Sequence, residues 1–156
     1  MDSRTQQGFT LIELITTIVL IGILSVTVVP KFVGTSSYSA YTVRNDLISK
    51  LRQVQQLAIN NSDQCYQLSI NSNGYQTQRA NRKGSDCDGA NFSFIGDAYT
   101  FPDDVTVTHI SNSRSFAIPF DTDGRAAQFC RDRCIRIIAD NTTEISISSQ
   151  GYIYED

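Results

Sequence analysis

The chain divides into three stretches with different patterns of apolar and polar residues. From Phe9 to Val29 the sequence is almost uninterruptedly apolar, and Glu13 is its one formally charged side chain. In residues 30–62 apolar residues recur at spacings of three, four and seven, and after Asp63 they alternate with polar residues in short runs. These patterns predict an apolar helix, an amphipathic helix and a β-rich region, in that order.

The apolar stretch has the length of a membrane-spanning helix. Its 21 residues rise about 31 Å at about 1.5 Å per residue, close to the roughly 30 Å hydrocarbon thickness of a bilayer. A secretory signal has a shorter apolar core, of about 7–15 residues, and then a small-residue cleavage site, which is not found at Val28–Phe32. We therefore predict that residues 9–29 span a membrane and that Pro30, which lacks an amide proton, kinks the helix.

The second stretch predicts a helix that lies on a sheet. Its apolar stripe consists of Tyr41, Ile48, Leu51, Val54 and Ala58. Residues 30–62 would thus continue the anchor, and residues 63–156 would form a β-rich head. The predicted strands are Cys65–Ile70 and Tyr75–Thr77, joined by a turn at Asn73-Gly74, then Val105–Thr108, Ser115–Ile118, Ile135–Ile138, Glu144–Ile147 and Tyr152–Tyr154. Strands that follow a helix in this way predict an α+β domain with a mostly antiparallel sheet.

The four cysteines of this 156-residue chain indicate an oxidising compartment. A metal site would need further thiols or imidazoles at ligand spacing, so disulfides are the better interpretation. Three connectivities are possible. We favour Cys65–Cys87 and Cys130–Cys134, because each closes a local loop between predicted neighbouring strands.

Nothing in the sequence predicts a catalytic residue, a metal or a cofactor. His109 alternates with Val105 and Val107, which is typical of a structural histidine on a strand. Asp121, Asp123 and Gly124 resemble the start of a calcium loop, but the set of oxygen ligands is incomplete. A turn explains these residues better, since Asp and Gly tolerate its backbone angles.

Arg131, Arg133 and Arg136 form a basic cluster that could contact DNA phosphates. The net charge of −3 and the neighbouring Asp132 argue against nucleic acid as a partner. The alternative interpretation is a solvated hairpin tip.

The segment Gly8-Phe9-Thr10-Leu11-Ile12-Glu13-Leu14, together with Gly22, Ile23, Leu24 and Pro30, resembles the prepilin signature of type IV pilins and type II secretion pseudopilins. The resemblance implies a leader peptide, residues 1–8, that a prepilin peptidase cuts between Gly8 and Phe9, followed by N-methylation of Phe9. It further implies a single-pass protein of the bacterial inner membrane with a periplasmic C-terminal domain. Such a protein is then extracted into a hetero-oligomeric pilus or pseudopilus with other pilin or pseudopilin subunits.

Glu13 is predicted to act in this assembly. Cleavage leaves a positive amine on Phe9, and a charge pair at about 4 Å contributes about 1 kcal/mol in water and several times more at lower dielectric. Glu13 of an incoming subunit could therefore pair with the Phe9 amine of a neighbour and fix its axial register. Two alternatives are a contact with Phe9 of the same helix, four residues away, and a side chain that reaches toward the lipid headgroups.

The C-terminal half carries a second resemblance, through Phe120-Asp121-Thr122-Asp123-Gly124-Arg125-Ala126 and through Glu144–Ile147 leading into Gly151-Tyr152-Ile153. These segments are similar to the GspH/FimT-type minor subunits, and the four-cysteine pattern resembles a minor pilin of the mannose-sensitive haemagglutinin type. The expected function is a minor structural subunit of a type IV pilus or a type II secretion pseudopilus, and not an enzyme. The alternative function is a membrane-anchored binding module, either a DNA-uptake receptor or an adhesin pilin.

Overall fold

The computed structural model of the chain describes residues 9–32, 36–82, 87, 90–126, 130 and 132–156, with helix side chains given for residues 11–25 and from residue 39 onward. The chain forms two compact units, Met1–Thr35 and Ser36–Asp156. The described part of the first unit contains one helix, α1 (Leu11–Phe32). Pro30 lies within α1, and the kink expected there stays a prediction.

The second unit starts with helix α2 (Ser36–Asn60). The strands described after it are β1 (Gln64–Asn71), β2 (Gly74–Asn81), β3 (Ser93–Thr100), β4 (Thr106–His109), β5 (Phe116–Phe120), β6 (Asp132–Ile138), β7 (Thr142–Ile147) and β8 (Ile153–Glu155). They form two antiparallel four-stranded sheets: sheet 1, in the order β3-β2-β1-β5, and sheet 2, in the order β4-β6-β7-β8. The predicted α+β class is therefore confirmed, whereas the domain boundaries at 29, 30 and 62 stay predictions.

The core lies between α2 and the two sheets. Residues three and four apart share one side of a helix, and the side of α2 that packs on the sheets is at most 1% exposed at Ala40, Val43, Leu47, Leu51, Val54 and Ala58. Sheet 1 contributes Leu68, Ile70 and Ile118, and sheet 2 contributes Ile135, Ile137, Ile145 and Ile147. The predicted stripe was wrong at one position, because Tyr41 is 43% exposed and lies under the guanidinium of Arg44.

The hairpin between β1 and β2 is present, but its turn differs from the predicted one. Asn71 pairs with Gly74, so the two connecting residues are Ser72 and Asn73. The side-chain oxygen of Asn71 accepts hydrogen bonds from the backbone N–H groups of Asn73 and Gly74. A Cβ at Gly74 would overlap the carbonyl oxygen of Tyr99. Gly74 is thus required by close packing of β2 on β3, not by the turn.

Strand β3 was not predicted from the sequence. Its register against β2 shifts between the pairs Tyr75–Tyr99 and Thr77–Ile95, which places a bulge around Gly96, whose φ is +68°. Most of its side chains are exposed, since β3 lies at the edge of sheet 1. A bulged edge strand lacks the strict alternation by which strands are recognised in a sequence.

The last strand, β8, is held by two arginines of α2. Arg44 forms an ion pair with Glu155, and Nη2 of Arg52 donates to the carbonyl oxygen of Ile153 at 3.0 Å. These two contacts tie the C-terminal strand to the helix.

Candidate functional site

Helix α1 starts with a capping arrangement built from Thr10 and Glu13. The backbone N–H of Glu13 lies 3.3 Å from the Thr10 hydroxyl and 3.1 Å from the Thr10 carbonyl oxygen. Thr10 is the N-cap residue and Glu13 the third helical residue, the spacing of a capping box. The carboxylate also lies at the positive end of the helix dipole. Sequence analysis missed Thr10, although T-x-x-E before an apolar run is itself a signal for a helix start.

The apolar side chains of α1 are exposed along the whole part in which side chains are described. Leu11 is 78% exposed, and the large apolar residues from Ile12 to Leu24 range from 42% to 66%; Phe9, just before α1, is 85% exposed. They occur on every side of the helix, so they do not form a single stripe. A helix that is apolar all round is typical of burial in a membrane or in a larger assembly.

Two expectations about this segment remain untested. Gly8, on the leader side of the expected cleavage bond, lies outside the described residues. Over the part of the chain that the structure describes, no helix is both long enough and apolar enough to be identified as a membrane span. The membrane-spanning role of residues 9–29 therefore stays a prediction.

The head contains two disulfide bonds, Cys65–Cys87 and Cys130–Cys134. This is the pairing favoured from the sequence. The first bridge joins the start of β1 to the connection between β2 and β3, and it closes a loop with a sequence separation of 22 residues. The second closes a separation of four residues at the start of β6.

Asp121 organises a turn at the end of β5. Its Oδ1 accepts the backbone N–H groups of Asp123 at 3.0 Å and Arg125 at 2.7 Å. Its backbone carbonyl accepts the N–H of Gly124, and the φ of Gly124 is +76°. An Asp side chain that bonds amides two and four residues on stabilises a turn. The geometry therefore supports the turn interpretation, and over the described residues no group of three His, Cys, Asp or Glu side chains is placed to hold a metal.

A glutamine of α2 clamps this turn against the turn before β8. Nε2 of Gln55 lies 2.6 Å from the carbonyl oxygen of Gly124 and 2.7 Å from that of Gly151. The φ of Gly151 is +86°, and a Cβ there would overlap the Gly124 carbonyl oxygen. The two glycine turns of the C-terminal resemblance thus meet at one point in space. They are structural, and sequence analysis missed Gln55.

The arginine cluster is only partly described. Arg131 lies outside the described residues. Arg136 donates from Nε to Oε1 of Glu144 at 2.8 Å, and Arg133 lies 3.5 Å from Oε2 of the same carboxylate. Two of the three arginines therefore share one acidic partner on β7, which reduces the positive potential available to a phosphate.

His109 occupies a structural position at the end of β4. Its ring lies 5.3 Å from that of Phe116, and its Nδ1 lies 2.8 Å from the hydroxyl of Ser111 and accepts the Ser111 backbone N–H at 3.2 Å. These contacts hold the His109 ring against the connection between β4 and β5.

An aromatic cluster lies at the β2–β3 edge of the core. The rings of Tyr75 and Tyr99 stack at 4.7 Å, and Phe101 packs against both. Burial, together with the nearby Asp46 carboxylate, raises the pKa of Tyr75 to about 12. The same causes raise the pKa of Tyr99, and a hydrogen bond with Asp46 adds to them. Both phenols therefore stay protonated near neutral pH.

Comparison with known proteins gives one match at the N-terminus. Residues 3–29 match the family model described as the prokaryotic N-terminal methylation motif. No curated protein matches the chain.

The fold is similar to that of a solved protein. Two crystal structures of the type IV minor pilin FimU from Pseudomonas aeruginosa match the chain. One has a TM-score of 0.56 at 14% identity and covers 78% of this chain and 91% of that chain. The other has a TM-score of 0.50 at 15% identity and covers 74% of this chain and 91% of that chain. At such identity the likeness concerns the fold.

The chain therefore combines an N-terminal methylation motif with a fold similar to that of a type IV minor pilin.

Proposed function

We propose that this chain is a minor structural subunit of a type IV pilus. A prepilin peptidase would cut it between Gly8 and Phe9 and the new amine of Phe9 would be methylated. The mature chain would be anchored in the inner membrane by residues 9–29, with its disulfide-bonded head in the periplasm. It would then join a filament with other pilin subunits through α1, and it would have no catalytic role.

The observation that carries the proposal is the exposed apolar surface of α1. Long apolar side chains exposed over more than four helical turns are costly in water, at about 25 cal/mol per Å². Lipid tails or the helices of neighbouring subunits would cover them. The methylation motif matched at residues 3–29 supports a helix that is first held in a membrane and then packed in a filament.

Glu13 has two roles in the proposal that are compatible with each other. Its position at the third residue of α1 stabilises the helix start together with Thr10. Its carboxylate would also pair with the Phe9 amine of a neighbouring subunit, where a reduced dielectric strengthens the attraction. Capping by the Thr10 hydroxyl contributes about 1 kcal/mol to the stability of the helix. Loss of this hydroxyl would loosen the helix start but would leave the charge of Glu13 in place.

Filament incorporation tests the proposal and separates the two roles. Filaments are sheared from cells that express the wild-type chain, Glu13→Ala or Thr10→Ala, and the share of the protein in the filament fraction is measured. The proposal expects Glu13→Ala to be lost from filaments and Thr10→Ala to be incorporated at a reduced level. Thr10→Ser, which keeps the capping hydroxyl, is the matched control and should behave as wild type.

The same experiment distinguishes a pilus from a secretion pseudopilus. Recovery in surface filaments supports the pilus, whereas retention in the cell envelope together with a loss of protein secretion on deletion would favour the pseudopilus. Wild-type incorporation of Glu13→Ala would contradict the charge-pair role. The DNA-receptor alternative is not favoured, because Arg133 and Arg136 share Glu144.

A further inference from the structure

The turn between β1 and β2 contains the one Asn-Gly pair of the sequence, Asn73-Gly74. In such a pair the backbone nitrogen of the glycine can attack Cγ of the asparagine, because glycine has no side chain that hinders the approach. A bond forms between this nitrogen and Cγ, and the bond between Cγ and the amide nitrogen breaks. The amide leaves as ammonia with the proton of the glycine N–H, and water then opens the succinimide ring to aspartate or isoaspartate. Asn73 is exposed, so water reaches the site of this reaction.

The peptide group that joins Asn73 to Gly74 is held on both sides. Its N–H donates to the side-chain oxygen of Asn71 at 3.1 Å, and its carbonyl oxygen accepts the backbone N–H of Phe101 at 2.8 Å. Gly74 is also packed closely, since a Cβ there would overlap the carbonyl oxygen of Tyr99. The attack on Cγ requires the N–H to lose its proton and the nitrogen to move towards the side chain. The bond to Asn71 keeps the proton on the nitrogen, and the two bonds together resist rotation of the peptide group.

Asn71 also orders the rest of the turn. Its side-chain oxygen accepts the backbone N–H of Asn73 at 2.8 Å, which is the bonding pattern by which an Asn side chain stabilises a turn. The hydroxyl of Ser72 donates to Oδ1 of Asn73 at 3.1 Å and so holds the side chain that would be attacked. Asn71 itself is exposed, so it can be replaced without opening the core.

We propose that Asn73 is a deamidation site and that the side chain of Asn71 keeps it unmodified in the folded head. Isoaspartate at position 73 would add a backbone carbon to a turn of two residues, Ser72 and Asn73. Gly74 has no room to follow this change, because the carbonyl oxygen of Tyr99 lies against it. Deamidation would therefore weaken the pairing of β2 with both β1 and β3. The proposal concerns the head alone and does not depend on the filament function.

The test follows Asn73 in the full chain, purified in detergent and kept in a mildly alkaline buffer. Peptide mapping by mass spectrometry measures how fast the amide is replaced by a carboxyl group, and it separates aspartate from isoaspartate. The same chain in guanidinium chloride gives the rate without the fold. We expect deamidation in the folded chain to be about thirtyfold slower than in the denatured chain, which is the factor that two hydrogen bonds supply.

Substitutions of Asn71 test whether its side chain provides the protection. Asn71→Ala and Asn71→Val both remove the acceptor, and valine also suits the end of a strand. Both variants should deamidate at Asn73 about fivefold faster than the wild type, as expected for the loss of one hydrogen bond. Asn71→Asp keeps an oxygen acceptor and should behave as wild type. Melting temperatures above the incubation temperature verify that each variant is folded.

Gln78→Ala is the control for a general loss of hairpin stability. Nε2 of Gln67 lies 2.6 Å from Oε1 of Gln78 and joins β1 to β2. This variant therefore weakens the hairpin but keeps Asn71, and it should deamidate as slowly as the wild type.

Three results would overturn the proposal: equal rates in the folded and the denatured chain, Asn71 variants that deamidate at the wild-type rate, or a Gln78→Ala variant that is as fast as Asn71→Ala. None of these results bears on filament incorporation, which is measured through α1.

Discussion

Helices α1 and α2 are both rich in apolar residues, but they use them in opposite ways. In α1 the large apolar side chains that the structure describes are 42–78% exposed, whereas in α2 the side that packs on the sheets is at most 1% exposed at six positions. The apolar residues of α2 are confined to one stripe, and the head supplies the two sheets that cover it. Those of α1 surround the helix. Helix α2 therefore stabilises this chain, whereas α1 is suited to a partner outside it.

The sharpest test of this difference replaces one leucine in each helix. Leu51 is fully buried in α2, and Leu20 is 59% exposed in α1. Leu51→Ala leaves a cavity and should lower the free energy of unfolding of the head by about 3–5 kcal/mol. Leu20→Ala should leave it within about 0.5 kcal/mol of wild type. Denaturant unfolding of the detergent-solubilised chain, followed by circular dichroism, measures both, and equal effects would contradict the comparison.

The two disulfides rank next in expected effect. In the chain-entropy model, a bridge with a separation of 22 residues contributes about 3 kcal/mol, and one with a separation of four residues about 2 kcal/mol. Replacing Cys65 and Cys87 by alanine should therefore lower the melting temperature of the head more than replacing Cys130 and Cys134. Calorimetry of the two double variants tests the order, and the reverse order would show that the loop at Cys130 is worth more than its length indicates.

Two glycines of the head allow the cost of a steric overlap to be compared with the cost of a positive φ alone. At Gly151 the φ is positive and an added Cβ would overlap the Gly124 carbonyl oxygen. At Gly96 the φ is also positive, but an added Cβ would meet no atom within 4 Å. We expect about 1 kcal/mol of destabilisation for Gly96→Ala and about 2–3 kcal/mol for Gly151→Ala. Thermal melts of the two variants provide the comparison. Similar melting temperatures would mean that the contacts of Gln55 with Gly124 and Gly151 adjust to the added methyl group with little loss of stability.

The smallest effect is the loss of stability at alkaline pH. Tyr75 should cause it in the head, whereas α1 contains no tyrosine. The pKa of Tyr75 is raised to about 12 in the folded chain from about 10 in the unfolded one. A raised pKa means that its share of stability is complete below pH 10 and is lost as the pH rises from about 10 to 12. Denaturant midpoints between pH 9 and 12 should fall more steeply for the wild type than for Tyr75→Phe. Parallel curves would contradict the assignment.

Much of this architecture follows from local sequence pattern. The stripe of α2 and most strands were predicted because burial imposes a period of about 3.6 or 2 residues. Strand β3 was missed because its bulge breaks that period.

Contacts between distant residues could not be predicted in this way. Gln55 reaches Gly124 and Gly151, which are 69 and 96 residues away in sequence. Glu144 forms ion pairs with two arginines of the neighbouring strand. Each of these contacts depends on one side chain that meets another element, and a single sequence carries no periodic signal for it.

Residues 1–8 are proposed to be a leader peptide, so that the mature chain begins at Phe9. The most direct test is the intact mass of the protein purified from the membranes of cells with active prepilin peptidase. The account predicts a chain that starts at Phe9 with a methylated amine, and the same processing in Glu13→Ala, because the cleavage bond lies at Gly8. A mass that retains Met1 in those cells would contradict the account.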